Sequence, residues 1–152
     1  MTVRALEPAD LDGLAAELAR LPLLRRYGRD AGAVRRDLDA ARARGEGLVV
    51  AADAAGVHGL AWFLPQGTLA LGGYLRLLAV VPGRERAGVG ALLLDAFERG
   101  TVALGTRHAF LLVSDFNTDA QRFYARHGYV EVGVLPRLVL PDVDERLYWK
   151  RL

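Results

Sequence analysis

The chain of 152 residues contains no cysteine. Disulfides, thiolate metal ligands and a thiol nucleophile are therefore excluded. Its three histidines, His58, His108 and His127, are scattered without a His-x-x-x-His pair, so no metal is expected. Lysine is nearly missing: Lys150 is the only one, and arginine supplies the rest of the positive charge. No apolar run reaches the roughly 20 residues that a membrane helix needs. The first residues, Met1 to Pro8, lack the apolar centre of a secretory signal. A cytoplasmic protein without a membrane partner is expected. A dense basic stripe interleaved with aromatics is also missing, which argues against nucleic acid as a partner.

What is present describes a packed domain. Hydrophobic residues make up 52% of the chain and charged residues 25%. The length suits one core, so residues 1–152 are read as a single domain. Thr2 to Ala5 is a short strand candidate. Pro8 suits a helix start, and Leu11, Leu14, Ala15 and Leu18 follow at helical spacing until Pro22 closes the segment. A second helix is predicted from about Gly32 to Arg44, with Gly45 as its stop.

From Gly47 the period changes to two. Leu48 to Ala52 and Val57 to Leu64 read as a hairpin, which Pro65 breaks. Another strand runs from about Leu71 to Val81, with Gly72-Gly73 as a candidate bulge. A helix follows from about Val89 to Val102. Ala109 to Val113 reads as a strand buried on both faces, and Thr118 to His127 as a short helix. Tyr129 to Leu135 and Glu145 to Arg151 complete a β-α-α-β-β-β-α-β-α-β-β order. That order is a mixed-sheet α/β fold.

The most informative stretch runs from Leu77 to Leu94. An apolar strand meets Pro82, then a basic loop with Gly88 and Gly90, then an apolar helix. Glycines permit close approach to the backbone, and a helix start presents unpaired N–H groups and a positive dipole end. The stretch reads as an anion seat, a feature that nucleotide-binding folds and ordinary turns share.

A second stretch narrows it. Asn117, Ala120, Phe123, Tyr124, Gly128 and Tyr129 follow some 30 residues later as Asn-x-x-Ala-x-x-Phe-Tyr-x-x-x-Gly-Tyr. With Val80-Val81-Pro82 and the Gly88-Val89-Gly90 loop, this resembles the two signatures of the GNAT family of N-acetyltransferases. The resemblance covers essentially the whole chain. It implies a GNAT fold with the fourth and fifth strands splayed, acetyl-CoA as acyl donor, no metal, and a primary amine of a small molecule as acceptor.

The resemblance also implies roles for residues. Leu78, Ala79 and Val80 would offer backbone groups to the pantetheine arm. Arg86, Ala87, Gly88, Val89, Gly90 and Ala91 would cradle the pyrophosphate. Asn117 would hold the cofactor or cap the helix after the fifth strand. Tyr124 would give a proton to the departing thiolate. Family members are often dimers, and Leu147-Tyr148-Trp149 is the expected place for a partner copy.

Two departures stand out. Glu85 occupies a position that the family usually gives to Gln or Arg, and is expected to turn outward or pair with Arg84 or Arg86. Relatives with an acid on the fourth strand are matched here by Arg76 and Leu77. Leu112 stands where ribosomal-alanine acetyltransferases carry Glu, which argues against a protein N-terminus or lysine as acceptor. Asp115, Tyr74 and His58 remain as candidate bases, beside deprotonation through water. Trp62, Phe63, Tyr27, Tyr74 and Trp149 are candidates for the acceptor pocket. A non-catalytic acyl-CoA-binding module is the reading from another class.

Overall fold

In the computed structural model, which describes residues 1–152, the two periodicities sort the chain onto the two faces of one sheet. The strands are β1 (Thr2–Ala5), β2 (Gly47–Asp53), β3 (Gly56–Thr68), β4 (Gly72–Val80), β5 (His108–Ser114), β6 (Val130–Leu135) and β7 (Glu145–Arg151). The helices are α1 (Leu11–Leu18), α2 (Pro22–Arg26), α3 (Ala31–Ala43), α4 (Val89–Ala103) and α5 (Thr118–Arg126). The seven-stranded sheet has the order β1-β2-β3-β4-β5-β7-β6. Only β4 and β5 pair in parallel.

Strand alternation divides the core. Leu48 and Val50 of β2, and Leu60 and Trp62 of β3, pack under α1, α2 and α3 with Leu14, Leu18, Leu24 and Leu38. Their neighbours Ala51, Ala61 and Phe63 face the opposite layer, with Leu93, Leu94 and Phe97 of α4 and Tyr124 of α5. Small residues on the second face let α4 lie close to the sheet.

Three expectations change. Pro22 does close α1, but it also starts α2, because a first-turn proline loses no helical hydrogen bond. Pro65 does not end β3: the strand continues to Thr68, with irregular register after Leu64. Gly72 and Gly73 pair in regular register with β5, and the irregularity beside them lies in the pairing with β3, where the extra residues between Leu64 and Thr68 belong to β3. Close packing demands the two glycines. A Cβ on Gly72 would lie 2.5 Å from the His108 carbonyl oxygen, and one on Gly73 would lie 2.2 Å from Thr101 Oγ1.

The β4–β5 pairing runs from Gly72↔His108 to Leu75↔Leu111 and stops. Beyond it β4 continues to Val80 along β3, while β5 continues to Ser114 along β7. The two strands therefore part within the sheet, as the resemblance implies. No helix of the structure is long and apolar enough to cross a membrane.

Candidate active site

The parting of β4 and β5 leaves a cleft of about 70 Å³ lined by Leu77, Leu78, Leu112, Asn117, Ala120 and Tyr124, among others. It runs into a second cavity of about 200 Å³, with which it shares Leu23, Arg76, Leu77, Leu112 and Ser114. Tyr27, Tyr74, Val139 and Glu145 are among the other residues of this second cavity. Two chambers thus meet where the sheet opens, one beside α5 and one beside α2.

On the β4 side the three expected residues divide. The Val81 N–H donates to the His58 carbonyl at 2.9 Å, so alternation turns the polar groups of Ala79 toward β3. A Cβ on Gly59 of β3 would meet the Ala79 carbonyl oxygen at 2.7 Å, in agreement. Leu78 and Val80 turn their N–H and C=O groups toward the open side. Ala79 instead spends its backbone on the sheet, which corrects the expectation for that residue.

At the end of β4 the chain enters the glycine loop. Arg86 has φ 65° and Gly88 has φ 77°, both left-handed, which bends successive amides toward one side. Gly88 is the N-cap of α4 and no side chain caps this turn. The first main-chain bond of the turn runs from Leu92 N to Gly88 O, and the N–H groups from Arg86 to Ala91 find no acceptor in the protein. Gly90 lies against α5: a Cβ there would be 3.3 Å from Phe123 Cζ. Glu85 is exposed, as expected of an outward-turned side chain, and pairs with no arginine. Its carboxylate accepts the Gly83 N–H at 2.9 Å, an acceptor that the loop itself supplies.

Across the cleft, Asn117 is the N-cap of α5: its Oδ1 accepts the Ala120 N–H at 3.2 Å. It lines the cleft as well, so capping and cleft-lining fall on one residue. Tyr124 is the only buried residue of α5, held edge-on between Phe123 and Tyr129. Burial alone pushes its phenol well above the ordinary value, and no hydrogen bond contributes. The hydroxyl therefore stays protonated at neutral pH and keeps its proton uncommitted.

The candidate bases scatter. Asp115 lines neither chamber. Its backbone N–H donates to the Asp144 carbonyl at 2.9 Å and its carboxylate accepts the Asp144 N–H at 3.2 Å, so it clamps a turn. His58 is buried and lies 2.7 Å from Asp53 Oδ1, also away from the chambers. Tyr74 does line the second chamber, and burial raises its pKa.

Of the expected acceptor-site aromatics, Tyr27 and Tyr74 are in place. Trp62 is buried, with its Nε1–H on Glu46 at 2.5 Å. Phe63 packs on Phe97 with ring centroids 5.4 Å apart, and Trp149 stacks on His108 at 5.9 Å. None of these three lines either chamber.

One residue escaped the sequence reading. Glu145 begins β7, paired to Ser114 of β5, and its side chain is buried in the second chamber. The Tyr27 hydroxyl donates to its Oε1, and Ser114 Oγ lies 3.4 Å from both carboxylate oxygens. Burial first, and then this contact, raises the Tyr27 pKa to about 12. No motif or spacing marks Glu145, which reaches the site only through sheet order.

A family model described as an acetyltransferase (GNAT) domain matches residues 44–131, more than half of the chain. The chain belongs to the GNAT family. Its members transfer the acetyl group of acetyl-CoA to an amine, and this GNAT protein is an acetyl-CoA-dependent N-acetyltransferase. Solved structures agree on the fold. Ard1 from Thermoplasma volcanium is 24% identical, with TM-score 0.80 over 99% of this chain and 97% of that one. Ribosomal-protein-alanine N-acetyltransferase from Brucella melitensis is 17% identical, with TM-score 0.78 over 100% of both chains. An aminoglycoside 6'-N-acetyltransferase complexed with coenzyme A is 19% identical, with TM-score 0.78 over 99% of this chain and 97% of that one. A search of curated proteins by sequence gives no match.

No group of three or more His, Asp or Glu side chains is arranged to hold a metal ion. The largest cavity, about 550 Å³, lies over the far end of α4, lined by Asp95, Glu98, Lys150 and Leu152 among others. It is open and remote from the parting strands.

Proposed function

We propose that this GNAT protein acetylates the primary amine of a small molecule in the cytoplasm, with acetyl-CoA lying between β4 and β5. One observation carries the reading: strand pairing stops at Leu75 and Leu111, and the unpartnered Tyr124 hydroxyl lies along the gap. The free backbone groups of Leu78 and Val80 pair with the pantetheine amides as an added strand would. The N–H run from Arg86 to Ala91 takes the pyrophosphate at the start of α4. Asn117 keeps its cap and offers its amide N–H groups to the cofactor.

The neutral amine attacks the thioester carbonyl carbon, the C–N bond forms as the C–S bond breaks, Tyr124 gives its proton to the sulfur, and the proton that the nitrogen loses returns through water to the Tyr124 phenolate. Positioning supplies most of the acceleration, because the thioester is already reactive. Asp115 has no part in this reading, since Asp144 engages it.

A second copy would pair along β6 and not β7. Tyr148 of β7 is buried and β7 lies between β5 and β6, whereas Val130, Val132 and Val134 are exposed on the edge strand.

Thiol release from acetyl-CoA across a panel of small primary amines tests the function. Amine-dependent release is expected with at least one compact amine. Stabilisation by acetyl-CoA without release from any amine would favour a binding module instead.

A further inference from the structure

Glu145 is the only acidic residue in the buried class, with 6% of its surface exposed, and no cation lies within ion-pair distance. Elsewhere the protein pairs even its less buried acids. Asp10 holds Arg4 at 2.7 Å, Glu46 holds Arg44 at 2.6 Å, and Glu98 holds Lys150 at 2.8 Å. A buried carboxylate without a counter-ion is expensive and is normally paired or used.

Its hydrogen bonds do not satisfy it. Tyr27 serves Oε1, while Oε2 has only the long 3.4 Å contact from Ser114. A carboxylate offers about four acceptor sites, so Oε2 has room for a strong charged donor. The Arg146 side chain next in sequence does not supply it, because it is committed to Glu131 at 3.0 Å. Arg76 lines the same chamber, but its guanidinium stacks on the Trp62 ring at 4.3 Å.

From this we infer that Glu145 is the seat of the acceptor's ammonium group before transfer, and that the acceptor is a compact monoamine with an apolar substituent. This rests on the acetyltransferase reading and deepens it. The chamber of about 200 Å³ is walled by Leu23, Leu24, Leu77, Leu112 and Val139, which suits an aliphatic group. A second positive charge on the acceptor would meet Arg76, which disfavours diamines. Tyr27 and Ser114 are positioning residues that fix the carboxylate in the chamber.

The test uses the full chain saturated with coenzyme A, and three probes: isoamylamine, its neutral isostere isoamyl alcohol, and 1,5-diaminopentane. Calorimetric titration should show isoamylamine binding at least about tenfold tighter than the alcohol, the scale of a charge-assisted hydrogen bond to a buried carboxylate. The diamine should bind no tighter than the monoamine. In Glu145→Gln the preference for amine over alcohol should vanish, while stabilisation by acetyl-CoA stays at the wild-type level. Equal binding of amine and alcohol by the wild type would overturn the proposal without any variant. So would a preference that survives in Glu145→Gln, and tighter binding of the diamine would overturn the monoamine class. Failure of acetyl-CoA to stabilise the wild type would instead strike the acetyltransferase reading itself.

Discussion

Tyr124→Phe lowers kcat by about two to three orders of magnitude, the contribution of a positioned general acid, and leaves stability and acetyl-CoA binding near wild type. The Tyr124 ring is buried against Phe123 and Tyr129, and phenylalanine keeps those edge-on contacts. The hydroxyl makes no hydrogen bond in the protein, so its removal leaves no partner unsatisfied. A drop in turnover in this variant is therefore a loss of proton transfer to sulfur, separated from any loss of fold. Steady-state kinetics with thiol detection, run beside thermal melts with and without acetyl-CoA, makes the measurement. Wild-type kcat in the variant would remove Tyr124 from the chemistry.

Gly72→Val destabilises the protein by about 3 kcal/mol, at the upper end for an overpacked site, which lowers Tm by roughly 6–12 °C in a domain of this size. The added Cβ would lie 2.5 Å from the His108 carbonyl oxygen and 2.7 Å from the Phe110 ring. The first neighbour is backbone and cannot turn aside. Gly72 also opens the only parallel pairing in the sheet, and this short ladder ends where the cleft begins. Activity should fall with stability, because a shifted ladder moves the point at which β4 leaves β5. Gly133→Ala on β6 is the matching control: no atom lies within 4 Å of the added Cβ, and Tm should stay within about 1 °C, as for an uncrowded surface site. Thermal unfolding by circular dichroism compares the two. An unchanged Tm in Gly72→Val would show that β4 and β5 can separate there freely.

How much of this was legible beforehand depended on whether the signal was local. The glycine loop, the α5 cap and the β7 boundaries are written in short runs, and the structure has the cap at Asn117 and β7 at Glu145–Arg151. Continuation of β3 through Pro65 was not legible, because neighbouring strands decide whether a proline can be absorbed. The role of Ala79 depended on which residues hydrogen-bond to β3, and strand alternation has no phase until that register is known. Asp115 and Glu145 show the same limit for the site. Asp115 is adjacent to Ser114 in sequence, yet its carboxylate is turned to the Asp144 backbone. Glu145 is 31 residues beyond Ser114, and β7 pairing delivers it to the chamber. Sequence proximity misled where sheet order decided.

The central claim is that acetyl-CoA occupies the gap between β4 and β5. Hydrogen–deuterium exchange with and without acetyl-CoA tests it most directly, since it reads protection along the backbone. The amides of Leu78, Val80 and the run from Arg86 to Ala91 should slow markedly on addition of acetyl-CoA, while β6 stays unchanged. Unaltered exchange at those amides, or slowing confined to the α4 end around Asp95 and Glu98, would contradict the account.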